Sequence, residues 1–217
     1  MSMTAIHQTP GSDEMSLRER VMREALYLAE IHGWQGVRLS EVAARLELPM
    51  GAVLAEFRDL DAVADAWFRH GWEAMLAEKP DGFDHWPPER RLAHCLAAWL
   101  DALAGHRRVT VEMLRTKAHP PHPHTWVPML FDLSRTVQWW REAARLEARY
   151  GTRRARAEEI ALTGLFLATL SVWAGDASDG QARTHRFLEQ RLACGARCMR
   201  WVPGGERSRR DAAAHRL

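Results

Sequence analysis

The chain has 217 residues, 47% apolar and 27% charged, which excludes a disordered polymer and allows a sizeable buried core. Its formal net charge of +2 singles out no class of partner. Three cysteines cannot close a disulfide framework, residues 1–15 hold no apolar signal core, and the longest uncharged run, 160–175, falls short of the roughly 20 residues a spanning helix needs. A cytoplasmic globular protein that does not span a membrane is expected.

Residues 1–15 and 203–217 read as loose ends, the second of them basic. Ser16-Leu17-Arg18-Glu19 is a capping box, and Leu17, Val21, Ala25 and Leu28 recur at helical spacing until His32-Gly33. A short helix follows at about 39–46, then the turn Glu47-Leu48-Pro49 and a second short helix at 50–56. Asp59 caps a longer helix that is expected to run to about Lys79. Two short helices joined by a tight turn make a helix-turn-helix module, placed at 16–79.

The stretch 79–88, rich in Pro, Gly and Asp, is the expected domain boundary. Beyond it, helices are expected at about 89–104, 107–118, 126–150, 153–175 and 181–202, forming a second helical domain at 89–202. The prolines of 119–125 stop any helix from crossing that segment. No alternating β-branched run proposes a strand, so the fold class is all-α.

The segment 17–68 resembles the DNA-binding domain of TetR-type transcriptional regulators. The matching residues are Ala25, Ala29, His32-Gly33-Trp34, Glu41-Val42-Ala43, Leu48-Pro49-x-Gly51, Phe57 and Asp61-Ala62-Val63. The resemblance implies a three-helix reading head plus a C-terminal helical domain for ligand binding and dimerisation. It places DNA contacts at Arg38, Ser40, Met50, Ala52, Leu54, Ala55 and Arg58. Several of these depart from the family pattern: Arg38 stands where a hydroxyl cap is usual, Pro49 and Met50 replace a small polar residue and a lysine, Leu54 replaces a tyrosine, and Leu60 a lysine. Residues 1–79 hold eight basic and thirteen acidic side chains, so the positive charge lies in the other part of the chain.

Trp173-x-x-Asp176 followed by Thr184-x-x-Phe187-Leu188-Glu189-x-Arg191-Leu192 is similar to the end of the lipid-binding coenzyme Q biosynthesis family, which shares the TetR fold. In that family the last helix meets a membrane surface. Here 181–202 combines apolar residues with five arginines and Trp201, which suits either peripheral membrane contact or a dimer interface.

No phosphate loop, catalytic triad or metal-ligand set is found, so neither an enzyme nor a cofactor or metal site is expected. His119, His122 and His124 read as a loop between helices. Cys194 and Cys198, one turn apart, are poorly placed for a disulfide and are expected to serve packing. Trp99, Met113, Trp126, Phe131, Trp139, Trp140, Phe166 and Trp173 either line one apolar cavity for a drug or lipid chain or pack as plain core. The reading is a homodimeric DNA-binding regulator, with double-stranded operator DNA and an apolar small molecule or lipid as partners. The alternative is a membrane-associated isoprenoid-lipid binding protein supporting ubiquinone biosynthesis, with a degenerate helix-turn-helix.

Overall fold

In a computed structural model the described residues are 15–118, 123–148 and 151–199, without the side chains of 123–131 and 199. Among them the secondary structure is entirely helical. The chain divides into two compact units, 1–66 and 67–217.

In the first unit, α1 (Leu17–His32) starts at a complete capping box: Ser16 Oγ accepts from the Glu19 N–H, and the Glu19 carboxylate accepts from the Ser16 N–H. The helix buries Val21, Ala25, Leu28 and Ala29, one face at helical spacing. Gly33, at φ +77°, turns the chain and donates its N–H to the Ala29 carbonyl. Buried Trp34 and Val37 lead into α2 (Leu39–Arg45), which turns Val42 and Ala43 inward. Only Val53 of α3 (Met50–Glu56) is buried. Phe57 closes that small core, and the Asp59 carboxylate accepts from the Ala62 N–H at the start of α4 (Leu60–Leu76).

The division between units falls within α4, and the segment 79–88 lies inside the second unit. From Trp67 onward α4 contributes buried Trp67 and Met75, with the Trp67 indole donating to Thr110 Oγ1. The helices that follow are α5 (Pro88–Leu103), α6 (Arg107–Lys117), α7 (Pro123–Ala143), α8 (Arg153–Ala174) and α9 (Ala182–Met199). Helix α9 packs on both α5 and α8, and α7 lies against α5 and α8. Leu96, Leu100, Leu103, Met113, Trp140, Phe166, Trp173 and Leu188 form their shared core.

Helix positions agree with the sequence reading to within a residue or so except at three ends. Helix α4 stops at Leu76 rather than Lys79. Helix α7 occupies 123–143 rather than 126–150. Proline is tolerated in a first helical turn, where its missing N–H has no intrahelical acceptor, so α7 begins at Pro123. Its other end is set by Arg145, whose φ of +54° lets the Leu146 N–H return to the Arg141 carbonyl. His119 and His122 lie outside the described residues.

Candidate functional site

The helix-turn-helix is held by a tight backbone turn. Leu48 N–H donates to the Ala43 carbonyl and Glu47 N–H to the Ala44 carbonyl, which reverses the chain between α2 and α3. This is the Schellman arrangement, with Glu47 at φ +55° in the position glycine usually fills. Because Val53 faces inward, α3 turns Met50, Gly51, Leu54 and Ala55 outward, with Ala52 half-buried; Met50 is 37% and Leu54 47% exposed. Arg38 and Ser40 are exposed at the start of α2, and Arg58 is exposed after α3. All seven residues named from the family resemblance therefore belong to the α2–turn–α3 region, and six present open surface.

The electrostatics of this surface are sparse. The Arg58 guanidinium donates to its neighbour Asp59 at 2.7 Å. Arg45 pairs with Glu24 and lies over the Tyr27 ring, while Arg18 donates to the Glu56 carbonyl and covers Phe57. Arg38 makes no side-chain capping bond to α2. The outward side chains of α3 carry no hydrogen-bond donor, so base-edge recognition by side chains there reduces to apolar contact.

In the second unit, Trp99, Trp140 and Phe166 meet. Phe166 lies edge-on to Trp99 at 5.5 Å between ring centroids and tilted to Trp140 at 6.4 Å. Met113 and Trp173 are also buried. Four indoles of this unit find acceptors: Trp67 on Thr110, Trp72 on Thr136, Trp140 on the Leu92 carbonyl and Trp173 on Gln181. The buried Trp99 N–H has none and faces Gly71. Trp139 stands apart, 42% exposed in a shallow depression with Ser134, Arg135, Gln138 and Glu142. Successive helical residues diverge by about 100°, so Trp139 and Trp140 cannot share the inward face. The side chains of Trp126 and Phe131 lie outside the described residues.

The corner between α8 and α9 is built on Asp176, which is fully buried. Its carboxylate accepts from the backbone N–H and hydroxyl of both Ser178 and Thr184, at 2.5–2.9 Å. Burial pushes its pKa upward, but the hydrogen bonds from Ser178 and Thr184 outweigh burial and hold the carboxyl well below the ordinary range. Gln181 extends the corner, accepting from Trp173 and donating to Asp101 Oδ1 at 2.7 Å, while His185 Nε2 lies 3.0 Å from the same oxygen. The Trp173-x-x-Asp176 and Thr184 motif is thus a structural device that joins two helices. Sequence reading missed Gly71, Asp101 and Gln181. The Asp176-x-Ser178 pair was the legible sign of such a turn.

Helix α8 alone among the described helices is long and apolar enough to cross a membrane, with a mean hydropathy of 1.3; its chain buries only 22% of that apolar window. It exceeds the uncharged run 160–175 because about two charged turns precede Ile160. Ile160, at 74%, and Leu167, at 47%, are exposed on it, as are Ala161, Gly164 and Ala168.

No protein-family model matches the chain, and no curated protein does. Solved structures do match. The crystal structure of a TetR transcriptional regulator from Nitrosomonas europaea ATCC 19718 is 35% identical, with a TM-score of 0.73, over 83% of this chain and 98% of that one. A bacterial regulatory protein in the tetR family from Rhodococcus RHA1 shares the fold at 19% identity and a TM-score of 0.51, over 83% of this chain and 97% of that one. The C-terminal resemblance to the lipid-binding family finds no counterpart in these matches. An identity of 35% across almost the full length of the Nitrosomonas protein shows the family: this chain belongs to the TetR family of transcriptional regulators.

Proposed function

We propose that the chain is a homodimeric DNA-binding transcriptional regulator that responds to an apolar small molecule held in its second unit. The observation that carries this reading is the α2–turn–α3 pair, closed by its own turn and leaving the outer face of α3 open, as major-groove docking requires. Dimerisation is supported by the exposed apolar strip of α8, a natural surface for a two-fold copy of itself with α9 alongside. A ligand is supported by the Trp99, Trp140 and Phe166 cluster.

The test is DNA binding at low salt. Arg38→Ala and Arg58→Ala are each expected to weaken binding on all sequences alike and to lower the salt dependence. Changes at Ala52 or Ala55 are expected to alter which sequence is preferred. Effector binding is read from quenched tryptophan fluorescence and a raised Tm.

A second reading, a membrane-associated isoprenoid-lipid binding protein, is favoured by the donor-free face of α3 and by the acidic excess of residues 1–79. In that case sequence-selective DNA binding is absent. Co-sedimentation with anionic liposomes then falls when Arg197 and Trp201 are replaced. An operator footprint with no liposome binding rejects it.

A further inference from the structure

Cys194 and Cys198 do not pack into the core. Both are exposed, free thiols on α9. One helical turn apart, their Cβ atoms stand about 5–6 Å from each other. A disulfide wants about 3.5–4.5 Å between Cβ atoms, so this pair resists internal oxidation while the helix stays intact. A single metal ion is a better match. Two metal–sulfur bonds of about 2.3 Å, laid end to end, span about 4.6 Å, which two cysteine side chains pointing along one face can bracket.

The surroundings select the kind of ion. Each sulfur ligand must lose its proton, so one monovalent ion held by two thiolates leaves a complex of charge −1 and releases two protons. Arg191 and Arg197 flank the pair on the helix surface, one on either side and both exposed, and the stretch 191–199 contains no carboxylate. Gly195 and Ala196, between the cysteines, put no bulk over them. Among the described residues no third metal-ligating side chain joins the pair, and two sulfurs alone suit a soft, low-coordinate ion and leave zinc, which asks for four ligands, underserved.

We propose that Cys194 and Cys198 form a two-thiolate site for a soft monovalent metal ion of the Cu(I) class, one ion per chain. The site goes beyond the regulatory reading and does not depend on DNA binding or on the aromatic cluster. The experiment titrates the reduced full-length protein, without oxygen, with Cu(I) held by the coloured chelator bicinchoninate. The wild type is expected to withdraw one Cu(I) per chain and to gain near-ultraviolet absorbance from sulfur-to-copper charge transfer. Cys194→Ser and Cys198→Ser, both at exposed positions, are each expected to weaken uptake at least tenfold, while Cys95→Ala, a change at the buried thiol, leaves it unaltered. Failure of the wild type to compete, or undiminished uptake in either serine variant, overturns the proposal. So does loss of uptake in Cys95→Ala with helicity intact.

Discussion

Two residues carry more of the local structure than their surroundings suggest. Glu47 holds a left-handed conformation in the turn before α3, where an L side chain costs on the order of 1 kcal/mol. Glu47→Gly is therefore expected to stabilise the protein by less than about 1 kcal/mol in chemical denaturation, because the greater freedom of glycine in the unfolded chain offsets part of the strain relieved. Asp176 works through charge. Its folded-state pKa is depressed, so its contribution is complete above the ordinary carboxyl range near pH 4 and is lost as pH falls towards the folded value. Asp176→Asn is expected to cost about 3 kcal/mol at pH 7, since one amide oxygen cannot replace four charge-assisted acceptor contacts. Urea titrations between pH 3 and 7 check the sign: the penalty shrinks as the wild type is acidified. Ser16 and Asp59 were legible as caps because serine and aspartate announce that role. Glu47 was not, because the usual glycine signal is missing there.

Among the elements, the meeting of α4 and α5 is the least forgiving. A Cβ added at Gly71 would lie 2.8 Å from Trp99 Nε1 and 3.2 Å from Leu103 Cδ1. The indole is a rigid ring with Phe166 against it, so it cannot yield as a flexible chain end would. Gly71→Ala is expected to lower stability by about 1–3 kcal/mol through overpacking, despite the better helix propensity of alanine. Calorimetry on that variant checks it, and an increase in Tm would show that the ring does shift. Most helix boundaries were visible in the sequence as periodicity between breakers. The ends of α7 were not, because a proline opened the helix and an arginine closed it. The aromatic cluster was half legible: residue type nominated Trp139 and Trp140 together, and only the rotational phase of α7 separates the outward one from the inward one.

At the scale of the molecule, the proposed dimer rests on the exposed strip of α8. Burying Ile160 and Leu167 against a second copy removes apolar area from water, and a charge there leaves an unpaired ion in the interface. Ile160→Glu is expected to convert a species of twice the 24.8 kDa chain mass into the single chain, with helicity retained. Sedimentation velocity at micromolar concentration decides it; wild type and variant sedimenting alike would place the interface elsewhere. The all-helical fold followed from pattern, whereas the docking of α9 on α5 did not. That docking joins apolar faces with the link between Gln181 and Asp101, 80 residues apart, and a single sequence holds no sign of which distant helix faces which.

The same corner has a kinetic meaning. The bonds from Thr184 to Asp176 close over eight residues, whereas the Gln181–Asp101 bond must bring together segments separated by 80. Closing the short segment costs far less chain entropy, and local contacts form sooner than distant ones. The α8–α9 hairpin is thus the expected early structure in folding, with α5 arriving on a surface already assembled. In a pulse-labelling exchange experiment, the Thr184 and Ser178 amides should gain protection before those buried where α5 meets α9.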